Sequence, residues 1–292
     1  MRISAILAVG MALAGLSSPV CAKPVEPVVF KPTDKWNIDY SEDSCALRRN
    51  FSDGKRRISL EIRQFSPDIT FYLTLASEDI KMDSGIPRAG FAPGTPMRAI
   101  TPPLYLRYSP KVTGMQWQDR LLTPEEVNAA AKGAYWDSTI RDHREAQVTG
   151  LNLGGRLPPM FVETGEMHRP MEAMRTCLDE LMTHWGIDAK AHRTLSRAVT
   201  AFEWEKWVPK VAATYPVAML FEGKSGVVRV RLIVDETGKP VSCHLQMKSQ
   251  DTAFEKTACD RLMKFARFTP ALDAAGKPIT SYWTNTIQYL FG

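Results

Sequence analysis

Residues Val227–Val234 (Val-Val-Arg-Val-Arg-Leu-Ile-Val), the turn Asp235-Glu236-Thr237-Gly238-Lys239 and the returning run Val241–Met247 decide the fold of the C-terminal quarter. Val228, Val230, Leu232 and Val234 alternate with Arg229 and Arg231, so the first run reads as a strand with an apolar inner face and a basic, open outer face. Gly238 supplies the positive φ that a tight hairpin needs. Phe254, Ala258, Leu262 and Phe265 then recur at helical spacing, which predicts a helix over Thr252–Phe265 laid across that hairpin, and Pro270 prevents its extension. Ser281–Phe291 alternates again, with Tyr282 and Thr284 set against Trp283, Asn285 and Ile287, and reads as a last strand. A strand–strand–helix–strand unit of about 75 residues from Tyr215 to Phe291 is too small and too plain for an enzyme, yet it leaves a sheet edge for a partner.

These residues resemble the C-terminal domain of TonB-like energy transducers. The resemblance is carried by Tyr215-Pro216, Gly226–Val230 leading to Val234-Asp235 and Gly238, Ala258, Phe268-Thr269-Pro270-Ala271 and Gly276-Lys277-Pro278, and it covers about 78 of the 292 residues. It implies a two-layer fold, a small antiparallel sheet with one helix across it. It also implies that the last strand, here Ser281–Leu290, accepts an extended peptide from an outer-membrane transporter by strand addition, with Tyr282, Thr284, Thr286 and Gln288 as the partner-binding residues. Typical transducers carry an uncleaved anchor and a long Pro-rich span, and neither is recognisable here; Ala212-Ala213-Thr214 stands where some members have a Gln/Pro-rich lead-in. The expectation is a relative that keeps the docking domain without energy coupling.

The opposite end reads as an export signal. Arg2 is followed by the apolar and small-residue run Ile3–Leu16, and Val20-Cys21-Ala22 supplies the small residues of a cleavage site before Lys23. Residues 1–22 are thus expected to be a signal peptide and the mature chain periplasmic, with no membrane span. Removing them leaves 270 of the 292 residues and lowers the formal net charge from +5 to +4, too mild an excess to suggest nucleic-acid binding. Cys45, Cys177, Cys243 and Cys259 form an even set in an exported chain, which favours disulfides. Cys243 and Cys259 lie on a strand and on the helix covering it, so they are expected to pair, leaving Cys45 with Cys177.

The expected organisation is α+β: an extended leader over 23–35 with little packing, an N-terminal α+β domain over 36–190 that is mainly antiparallel β with helices, a helical connector over 191–213 and the TonB-like domain over 214–292. Ile58, Leu60 and Ile62 followed by Ile69, Phe71, Leu73 and Leu75 predict a hairpin, joined by a strand over Ala46–Phe51. The Pro- and Gly-rich stretch Ser84–Pro110 reads as loop. Thr123-Pro124-Glu125-Glu126 predicts a capped helix of about two turns, Ala146–Leu153 and Met160–Glu163 short strands, and Pro170–Trp185 a helix stopped by Gly186. Phe202, Trp204 and Trp207 in the connector read as packing aromatics.

No catalytic motif of the GxSxG, HExxH or GxxxxGK[ST] type occurs, and no cofactor, metal or catalytic residue is expected. The histidines, including His143, His168 and His192, show no ligand spacing, and Asp142-His143-Arg144-Glu145 reads as a solvated loop. The basic clusters Arg48-Arg49 and Lys55-Arg56-Arg57 read as solvated surface beside a turn. The sequence thus favours a non-enzymatic envelope-binding protein, with outer-membrane transport as the expected link. The alternative is a secreted hydrolase with an unrecognised N-terminal site; a deep polar cleft with a nucleophile beside His143 would favour it.

Overall fold

The computed structural model describes residues 25–79, 86–132, 135–136, 138–247 and 251–291. The expected signal peptide lies outside them. In chain order the first part runs β1 (Val28–Pro32), β2 (Asn37–Tyr40), β3 (Cys45–Ser52), β4 (Arg57–Gln64), β5 (Phe71–Ser77), β6 (Pro87–Ala92), β7 (Arg98–Ala99), β8 (Leu104–Arg107), β9 (Thr113–Asp119), α1 (Pro124–Ala130), β10 (Ala131–Lys132), β11 (Tyr135–Trp136), α2 (Ser138–Gln147), β12 (Gly150–Gly155), β13 (Met160–Val162) and α3 (His168–His184). Most of these strands join one sheet in the order β7-β6-β12-β13-β1-β3-β4-β5-β9-β8, with β2 beside β3. Its pairs are antiparallel apart from β1 with β13. The chain is α+β.

The period-2 pattern of β4 and β5 builds the core of this sheet. Leu60 faces Leu75 and Ile62 faces Leu73 across the ladder, and all four are fully buried. Helix α3 lays Met171, Met174, Leu178 and Leu181 on the same core, and its Cys177 is disulfide-bonded to Cys45 of β3. Gly186 follows the helix at φ 78°, a conformation that ends a helix at little cost to a residue without Cβ. Thr123 and Glu126 form a reciprocal capping box at α1, Thr123 Oγ1 accepting from the Glu126 N–H and the Glu126 carboxylate from the Thr123 N–H.

Three expectations fail here for identifiable reasons. The leader is extended but packed: Phe30 of β1 is fully buried, because Pro27 and Pro32 stand at the ends of the strand, where a missing N–H does not break the ladder. The Pro- and Gly-rich stretch carries β6, β7 and β8 rather than loop alone. A Cβ on Gly90 would lie 2.7 Å from the Thr95 carbonyl oxygen, so this glycine marks close backbone packing. Asp142–Glu145 is part of helix α2, and Arg144 and Glu145 are buried at 2% and 3% exposure. Arg144 is solvated by protein: it donates to the carbonyls of Leu121, Pro93 and Phe91 and to Thr95 Oγ1. Strand β12 begins after that helix.

The remaining elements are α4 (Ala189–His192), β14 (Thr200–Ala201), α5 (Trp204–Ala212), α6 (Val217–Phe221), β15 (Gly226–Val234), β16 (Pro240–Met247), α7 (Thr252–Phe265), β17 (Phe268–Thr269), β18 (Ala271–Leu272), β19 (Pro278–Ile279) and β20 (Ser281–Tyr289). Strands β16, β15 and β20 form an antiparallel sheet in that order. Val228, Val230, Leu232 and Val234 are fully buried in one core with Phe254, Ala258 and Leu262 of α7. Asp251 caps that helix by accepting from the Ala253 N–H, and Cys243–Cys259 ties it to β16. At Gly226 a Cβ would meet the Phe254 ring at 2.5 Å, so the helix sits directly on the strand there. In the connector Trp207 packs against Phe268 and Trp283, whereas Phe202 and Trp204 are 51% and 53% exposed and do not serve as core.

Candidate functional site

Strand β20 is the end of its sheet. It pairs with β15 in unbroken register from Gly226↔Tyr289 to Val234↔Ser281, and no other described strand pairs with it. Paired residues share a face, so Trp283 and Ile287 lie with Leu232 and Val228 toward α7, while Tyr282, Thr284, Thr286 and Gln288 lie with Arg229 and Arg231 on the opposite face. Ser281–Tyr289 contains no Lys, Arg, Asp, Glu or Pro, the residues that usually blunt an edge against pairing.

The opposite face is not open, which corrects the expectation for the two arginines. Arg231 is 7% exposed, with its guanidinium 3.9 Å from the Trp185 ring centroid and Nη1 3.4 Å from Asp43 Oδ1. Arg229 lies 4.7 Å over the Phe65 ring and donates to Tyr72 Oη at 3.0 Å. Burial pushes both guanidinium pKa values down from the usual range, and Asp43 partly offsets this for Arg231. His244 Nε2 lies 2.7 Å from Asp43 Oδ1, and Gln246 donates to the Phe65 carbonyl at 2.8 Å. The N-terminal sheet and α3 therefore clasp this face of the C-terminal sheet.

The four residues named for the partner are distributed unequally. Tyr282 stacks on His192 with ring centroids 5.2 Å apart and meets Trp185 edge-on at 5.6 Å. Thr286 Oγ1 accepts from Arg229 Nη1 at 3.3 Å, Thr284 lines a cleft, and Gln288 is exposed. Asn285, on the α7 side of the strand, is also exposed, and its Oδ1 accepts the Thr286 N–H at 2.8 Å.

The cleft, about 910 Å³, lies between the β4–β5 turn, α2, α3, the connector and Ser281–Thr284, and sequence reasoning missed it because its walls come from segments far apart in the chain. Glu145 sits in its wall and accepts a two-pronged contact from Arg175 at 2.7 and 3.1 Å, while Arg141 pairs with Asp142 at 2.7 Å. Burial raises the Glu145 pKa, and Arg175 opposes the rise. Asp142, Glu145 and His168 bring ligand-type atoms within 4.8 Å of one another. Both carboxylates already carry a guanidinium, so a metal ion would have to displace Arg141 and Arg175. His143 is exposed, beside Gln147, and does not line the cleft.

Among the described residues, His192 and Ser281 form a histidine–serine pair. His192 Nε2 lies 2.6 Å from Ser281 Oγ, at 6% and 1% exposure. Burial lowers the His192 pKa to about 4, against the opposing charge of Asp188. Both residues line the cleft but are almost fully buried; a base that weak is poorly placed to activate a nucleophile, and the contact reads as a latch on the first residue of β20.

The family model described as the Gram-negative bacterial TonB protein C-terminal matches residues 211–290. No curated protein matches the chain. The matched residues contain α6, the three-stranded sheet and its covering helix. Residues 211–290 are a TonB C-terminal-like segment, of a kind found in the Gram-negative envelope.

Proposed function

We propose that this chain is a non-enzymatic periplasmic protein that binds an envelope partner by strand addition at β20, the partner being an extended segment of an outer-membrane transporter. The observation that carries the reading is the charge-free outer edge of β20, along which no strand pairs among the described residues. Such an edge offers backbone donors and acceptors to an incoming strand, the Thr286 N–H becoming available when it leaves Asn285 Oδ1. Because Tyr282 and Thr286 are engaged by His192, Trp185 and Arg229, side-chain recognition falls to Asn285, Ile287 and Gln288 as well as Thr284. The hydrolase reading has a polar cleft in its favour, but His143 lies outside it and all four cysteines of the described chain are in disulfides.

A photoreactive residue at Asn285 in intact cells tests this, with Val241 on the opposite edge strand β16 as control. The expected product is a crosslink from position 285 to the periplasmic segment of an outer-membrane transporter, lost in Thr286→Pro and not formed from position 241. Equal labelling from the two edges, or labelling unaffected by Thr286→Pro, rejects strand addition.

A further inference from the structure

We propose, resting on strand addition at β20, that the cleft and the exposed flank of α5 are the two side walls of the groove that receives the partner, and that the partner segment alternates basic and apolar residues. The cleft opens against Ser281–Thr284, so a strand added to that edge runs along it. Its wall carries an excess of carboxylates. Arg141 is matched by Asp142, Arg175 by Glu145 and Arg193 by Asp179, and the Asp68 charge acts on Arg229, which leaves Glu172 over. Glu172 is exposed and makes no ion pair among the described residues. In a chain whose formal net charge is +5, this is a local reversal of sign, and it selects a cation.

The other wall is apolar. Trp207 of α5 contacts Trp283 of β20, and Lys210 reaches over Phe265 of α7. Successive helix residues turn by about 100°, so Trp204 and Val208 lie beside Trp207 on the flank away from Lys210 and therefore away from α7. They are 53% and 37% exposed. That flank faces the side on which a fourth strand would lie. An extended segment sends successive side chains to opposite faces, so one set meets Glu172 and the other meets Trp204 and Val208. The N-terminal region thus builds half of the recognition surface instead of binding a ligand of its own.

The probe is a decapeptide alternating Lys with Val, compared with its Glu-for-Lys counterpart and with a peptide of the same composition in Lys and Val blocks. The protein is the chain from Lys23, carrying a photoreactive residue at Asn285 or at Thr176 in the cleft. The expected result is labelling of the alternating Lys peptide from both positions. Binding should weaken roughly fivefold with Glu172→Arg and about tenfold with Trp204→Ala, and the Glu peptide should bind more weakly still. Labelling from 285 alone, with affinity indifferent to Glu172→Arg, overturns the groove and leaves strand addition standing. Labelling from 176 alone overturns strand addition, and no labelling, or equal binding of the blocked peptide, overturns the proposal.

Discussion

Arg231 of β15 holds its guanidinium against the indole of Trp185 at the end of α3, joining the C-terminal sheet to the helix that covers the N-terminal sheet. The Asp43 carboxylate takes the same guanidinium from the side. Trp185→Ala removes the aromatic plate and uncovers a buried charge, and it should destabilise the chain by about 3 kcal/mol. Urea unfolding followed separately by a probe in each core checks this: the wild type should lose both cores together, and the variant should lose the C-terminal core first. Arg231→Lys should reproduce part of the effect, since an ammonium cannot stack as a planar guanidinium does.

Acidification should weaken the clasp through His192. Its folded pKa of about 4 lies below the ordinary value of 6.5, so the unfolded chain binds the proton more readily. Stability contributed by neutral His192 is complete above the unfolded value and is lost as pH falls from 6.5 toward 4, with a span of about 3 kcal/mol. His192→Gln should flatten that part of the pH dependence, measured as the urea midpoint between pH 7 and pH 4.

The fully enclosed Arg144 should tolerate no replacement. Four acceptors from two segments converge on it, those of Phe91, Pro93 and Thr95 and that of Leu121. Lysine keeps the charge but cannot reach this fork of acceptors, and Arg144→Lys should cost roughly 3 kcal/mol or more. Thermal unfolding of the purified variant is the check, with Arg169→Lys on the exposed start of α3 as a near-neutral comparison.

The two disulfides should differ in weight. Cys45–Cys177 closes a separation of 132 residues and Cys243–Cys259 one of 16. In the loop-entropy account these correspond to about 5 and about 3 kcal/mol. Cys45→Ala with Cys177→Ala should therefore lower the unfolding midpoint further than the Cys243→Ala with Cys259→Ala pair.

Much of this architecture was legible because local periodicity and burial agree. The alternation in Val228–Val234 and in Ile58–Ile62, the helical spacing of Phe254, Ala258 and Leu262, and both cysteine pairings read directly from the chain. The errors share a cause: periodicity says which residues point together, not what lies opposite. Arg229 and Arg231 do leave the apolar face, but onto Phe65, Tyr72 and Trp185, which are distant in sequence. Arg144 is enclosed by carbonyls 23 to 53 residues away, so its charge wrongly suggested solvent. Of the candidate site, the strand itself was legible in the alternation of Ser281–Phe291; the cleft beside it was not, because α2, α3 and the connector converge there only in three dimensions.

Strand β1 is five residues long, yet it is the seam between two halves of the large sheet, parallel to β13 on one side and antiparallel to β3 on the other. Val28 meets Met160, so a chain delivered from its N-terminus carries one half of the seam for about 130 residues before the other half arrives. Until then β1 has no neighbour on its β13 side, and the core around Phe30 is incomplete. This topology makes completion of the N-terminal sheet a late, non-local event, and it places the period of greatest vulnerability to misassociation in the interval before β13 and α3 have followed.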